Sequence, residues 1–216
     1  GGDIFVSAGE TTAASKTGGS IDITGGAASS STQAQGGDIS FHGGRGESYT
    51  GGAMSMTTGE GTMTSSGGIH LNTVNAGTLG VSGALSFTSG TASSGGSGSI
   101  LLATGSATNG EGGDITLSVG KSKTDTGGDV MVYGGYSSPF TGGAVSLTTG
   151  EGTEGSSGAF IVRTLNAGTL GVSGMLSFTS GTASSGSSGE LNVFTGSATQ
   201  GKGGDMIFSI GSGTTY

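Results

Sequence analysis

The apolar residues of this chain fall into phase. In Gly112 to Thr126, GGDITLSVGKSKTDT, Ile115 and Leu117 stand two apart between Gly113 and Gly120, and a polar tail follows. With these positions numbered 1 to 15, the same frame starts at Gly1, Gly18, Gly36, Gly51, Ser66, Ser82, Ser97, Gly112, Gly127, Gly142, Ser157, Ser173, Ser188 and Gly203, so fourteen repeats use up the sequence. Position 2 is always glycine. Position 4 reads Ile4, Ile21, Ile39, Met54, Ile69, Leu85, Ile100, Ile115, Val130, Val145, Phe160, Leu176, Leu191 and Met206, and position 6 is apolar from Val6 to Phe208. Alternation across positions 4 to 7 is the period of a strand with one buried face. The pattern predicts one short strand per repeat, over positions 3 to 8, with glycines at 2 and 9 permitting tight corners. Nothing is apolar at helical spacing, and no helix is expected.

Self-similarity at a short fixed period is the mark of a solenoid. The expected fold is therefore all-β: a single-chain β-solenoid, or β-helix, of fourteen coils with parallel strands, continuous over 1–216. Positions 4 and 6 would form inner ladders. Small residues at position 11, such as Ala28, Gly46, Gly61, Ala107 and Gly152, would face a closely approaching opposite wall. Burying two aliphatic side chains is worth roughly 3 to 6 kcal/mol, whereas ordering fifteen residues costs on the order of 15 to 30 kcal/mol. A lone coil cannot fold, so stacking is required, and fourteen rises of about 4.8 Å make a rod of about 67 Å. Position 9 departs from glycine at Val74 and Leu165, in the repeats that carry a sixteenth residue; a different corner is expected there.

A longer repeat lies over the first. Residues 75 to 95 recur at 166 to 186 with one change, Ala84 to Met175, an offset of 91 residues. It divides the chain into a six-coil super-repeat, 36–126 and 127–216. Neither end looks capped, so either a segment of a longer array or a unit that stacks end to end is expected.

Composition alone points elsewhere. With 52 glycines and one proline among 216 residues, against an average of about 7% glycine, the chain reads as a flexible linker; the fixed phase of its apolar residues argues for order. No stretch reaches the roughly 18 to 20 apolar residues that span a membrane, and no signal peptide opens the chain. Cysteine is absent, which removes disulfides and thiol chemistry. The net charge of -8 opposes a nucleic-acid partner, whose backbone selects clustered Lys and Arg.

The GGDI, GGAVSL and SGALSF units, beginning at Gly36, Gly142 and Ser82, resemble glycine-rich short-coil β-solenoid repeat proteins of extracellular fibres, adhesin stalks and phage or viral tail fibres. The resemblance implies an extracellular structural protein, the rigid shaft of a filament or appendage, whose partner is itself. It implies no enzyme and no cofactor.

The residues agree on chemistry. GEGTEG, Gly150 to Gly155, matches G-x-G-x-x-G, but a dinucleotide site needs that turn to open a helix after a strand. The GGD triplets at Asp3, Asp38, Asp114, Asp129 and Asp205 lack the spacing of calcium-binding β-rolls and read as turn caps. His42 and His70 lie two coils apart, too far to share a metal. No Ser-His-Asp grouping emerges; catalytic, cofactor and metal residues are none.

Two surfaces remain. Outward residues of the odd coils, Phe5, His42, His70, Leu101, Met131, Tyr133, Ile161, Arg163 and Phe194, form a candidate lateral interface, since large exposed apolar groups in a file mark contact. The same face gives an alternative, an adhesin binding glycans or a surface. Position 12 supplies a hydroxyl file, Thr12, Thr62, Thr108, Thr153 and Thr199, continued at Thr214; regular hydroxyls on a flat solenoid give a second alternative, an ice-binding protein.

Overall fold

A strand forms only where its N–H and C=O groups find partners on a neighbouring segment. The computed structural model describes residues 2–30, 33–138 and 140–213, and among them no strand and no helix forms. The expected β-solenoid is overturned. What the protein builds instead is a succession of extended segments joined by bends.

The glycine corners explain the difference. At six of the thirteen junctions between repeats the position 2 N–H donates to the position 9 carbonyl of the repeat before it: Gly19 to Gly9 and Gly37 to Gly26 at 2.9 Å, Gly52 to Gly44 and Gly143 to Gly135 at 2.8 Å, Gly158 to Gly150 at 3.0 Å and Gly67 to Gly59 at 3.2 Å. The partner is thus 8 to 11 residues back, as Gly59 to Gly67 and Gly26 to Gly37 show. A solenoid would pair position 2 with its counterpart a whole repeat earlier. Where this bond forms, the polar tail is a closed loop held at its neck by glycines. The neck is narrow: a Cβ on Gly43 would run into the Gly52 carbonyl oxygen, and one on Gly134 into that of Gly143.

Inside the loops the backbone bends at positions 12 to 14, as at 47–49, 62–64, 93–95, 108–110, 123–125, 153–155, 184–186 and 199–201. Side-chain oxygens brace the bends at 123–125 and 13–15. Asp125 N donates to Ser122 Oγ at 2.9 Å, and Ala13 N to Thr11 Oγ1 at 3.3 Å, the local bonding by which short hydroxyl side chains favour turns. Several bends turn through a glycine at position 14 with left-handed backbone, φ 102° at Gly95 and 110° at Gly186.

At Gly46, Gly61 and Gly152, position 11 is small for a different reason than expected. A Cβ on Gly152 would lie 2.5 Å from the Ser156 carbonyl oxygen and 2.8 Å from that of Gly155, and Gly61 meets Ser65 and Thr64 in the same way. The crowding comes from the return of the same loop, not from an opposite wall. The two sixteen-residue repeats do use a different corner: Gly80 N donates to Gly77 O, and Gly171 N to Gly168 O, both at 3.4 Å.

The protein divides into two units, Gly1–Ala103 and Thr104–Tyr216. The first contains the loop necks at Gly9, Gly26, Gly44 and Gly59 and the turn at Gly77; the second contains those at Gly135 and Gly150 and the turn at Gly168. Three of these features recur at an offset of 91 residues: Gly44 and Gly135, Gly59 and Gly150, Gly77 and Gly168.

The described residues build no buried core. Ile115 and Leu117, expected in the inner ladders, are 49% and 76% exposed, and even Val119 keeps 44%. The protein exposes 21827 Å², against about 8,800 Å² for a compactly folded protein of 20.3 kDa. The energetic shortfall of a single repeat is the cause. One neck hydrogen bond adds about 1 kcal/mol, far less than the ordering of a whole repeat consumes.

Candidate functional site

With no inner wall, the distinction between inward and outward positions disappears. Phe5 is 90% exposed and its supposed inward neighbour Val6 is 72% exposed. Leu101, Met131, Tyr133, Ile161 and Phe194 are exposed as expected, and so are His42, His70 and Arg163. They do not form a separate lateral face. Joined to positions 4 and 6, the apolar ones among them make continuous runs, Ile4 to Val6, Ile100 to Leu102, Val130 to Tyr133, Phe160 to Val162 and Val193 to Phe194, and Met206 to Phe208 forms another. Sequence reasoning split these runs between two faces; their plain contiguity was the signal that they act together. Within one of them Tyr133 Oη donates to Met131 Sδ at 3.1 Å.

Where a loop neck brings two repeats together, apolar side chains meet. Phe41 of repeat 3 and Met54, Ser55 and Met56 of repeat 4 line an open hollow of about 300 Å³, next to the Gly52–Gly44 bond. The residues 91 positions on are Val132, Val145, Ser146 and Leu147, with shorter side chains at three of the four places. Pairing these residues required knowing the neck, which the repeat pattern alone did not reveal.

The position 12 hydroxyls take up the bends. Thr62, Thr108, Thr153 and Thr199 each open one, and Thr12 precedes the bend at 13–15; Thr214 lies outside the described residues. Each hydroxyl belongs to its own loop. The stacking that would have aligned them into an ice-matching file is absent.

Charged groups are dispersed and solvated. Lys202 Nζ contacts Asp205 Oδ2 at 2.9 Å, and Arg45 and Glu47 approach to 3.9 Å with both side chains 84% exposed; exposed pairs of this kind contribute little. Among the described residues no group of three or more His, Asp or Glu gathers as metal ligands, and no helix is long and apolar enough to cross a membrane. No protein-family model, curated protein or solved structure matches this protein.

Proposed function

We propose that this is a structural protein of an extracellular filament or fibre, and that it works by associating with further copies of itself through its apolar runs. The observation that carries this reading is the exposure of positions 4 and 6 in every described repeat. Apolar surface left in water is a standing drive for association. A standard protein interface buries about 1,600 Å², and the protein exposes 21827 Å², well beyond what a compact protein of its mass retains. A second copy is the fitting occupant because it brings the same runs at the same spacing. Each run adds a modest increment, and linking many on one polypeptide multiplies them through effective concentration.

Sedimentation velocity over a broad concentration series tests it. Association should grow with concentration, and a variant with Ile100, Leu101, Leu102, Met131 and Tyr133 all changed to Ser should shift toward monomer. A protein that stays monomeric throughout, or a variant that associates as the parent does, overturns the reading.

A further inference from the structure

The loops at 104–113 and 195–204 are near twins, TGSATNGEGG and TGSATQGKGG. Both bend at positions 12 to 14, and both turn through a glycine of positive φ, 148° at Gly110 and 130° at Gly201. They differ on either side of that glycine, with Glu111 after it in the first and Lys202 in the second, and at the residue before it. Asn109 stands in the first and Gln200 in the second.

We propose that Asn109 is a site of spontaneous covalent modification, deamidating through a cyclic imide with Gly110. The chemistry needs the next residue's backbone nitrogen to reach the amide carbon Cγ of the asparagine, and three observations favour that here. Gly110 carries no Cβ to hinder the approach of its nitrogen, and apart from its two chain neighbours the space around the missing Cβ is open to 4 Å. Among the described residues no hydrogen bond engages the Gly110 N–H, so its nitrogen is available. Both residues are exposed in a bend rather than held in a ladder. Asn109 is also the sequence's single Asn-Gly pair: Asn72, Asn75, Asn166 and Asn192 precede Thr73, Ala76, Ala167 and Val193.

The step balances without an oxidant. The Gly110 nitrogen loses its proton to water and attacks Cγ of Asn109; the new N–Cγ bond closes a five-membered ring as the Cγ–Nδ2 bond breaks, and the departing Nδ2 takes a proton back from water and leaves as ammonia. Water then opens the imide at either carbonyl, leaving aspartate or isoaspartate. Gln200 would need a six-membered ring and is the built-in control. The product adds a carboxylate beside Glu111, and in its isoaspartate form a methylene to the backbone of the 108–110 bend.

The test is to age the full-length protein at neutral and mildly alkaline pH and map its peptides by mass spectrometry, labelling isoaspartate enzymatically. The Asn109 peptide should gain the mass of NH2 replaced by OH, faster at the higher pH, while the Gln200 peptide stays unchanged; Asn109→Gln should lose the label. Conversion of Asn109 no faster than Asn75 or Asn166, each followed by alanine, overturns the proposal, as does conversion of Gln200 at the same pace.

Discussion

Gly150 and Gly152 are two residues apart in one loop and respond oppositely to the same substitution. A Cβ on Gly150 meets nothing within 4 Å, whereas one on Gly152 would sit 2.5 Å from the Ser156 carbonyl oxygen. Gly152→Ala must therefore push the returning limb of the loop away. The group that moves is two residues from Gly158, whose N–H closes the neck on Gly150 O at 3.0 Å. That bond is worth about 0.5–1.5 kcal/mol net, so losing it raises the open population of the neck roughly two- to tenfold. Gly150→Ala restricts the open loop more than the closed one, a stabilisation of about 0.4–1 kcal/mol where the backbone is compatible. Amide exchange at Gly158, followed by NMR, reads both: it should quicken in Gly152→Ala and hold or slow in Gly150→Ala. Equal exchange in the two variants would refute the loop neck as the unit of structure.

Calorimetry should show no cooperative endotherm, whereas a compact domain of 216 residues would absorb about 150 kcal/mol at about 0.7 kcal/mol per residue; a sharp peak of that size would mean a core exists. Ile115→Asp and Thr116→Asp should alter far-ultraviolet circular dichroism equally little, because an exposed substitution shifts stability by no more than about 0.5 kcal/mol; a selective effect at Ile115 would restore a buried ladder. Nanolitre osmometry should detect no thermal hysteresis, in the parent or in Thr108→Tyr with Thr153→Tyr, and a hysteresis gap abolished by those changes would require an aligned hydroxyl file.

The sequence by itself determined what depends on near neighbours. Glycine corners at positions 2 and 9, bends in the polar tail, and the altered turn beside Val74 and Leu165 are set by residues within about a dozen of one another, and all are visible in the repeat. The apolar runs of the candidate site were legible as residues. Their exposure was not, because it depends on which segment each glycine N–H finds. A period of fifteen residues allows position 2 to bond its counterpart one repeat back or the position 9 carbonyl 8 to 11 residues back, and glycine, lacking a side chain, expresses no preference in the sequence. Only the tertiary structure decided for the nearer carbonyl. Closing the shorter loop costs less entropy, by about 0.6 kcal/mol per halving of length, and it orders a neck instead of a whole repeat. With the neck formed, Gly52 N–H is held by Gly44 O and no longer serves a ladder, and Met54 and Met56 of the same repeat stay 57% and 65% exposed.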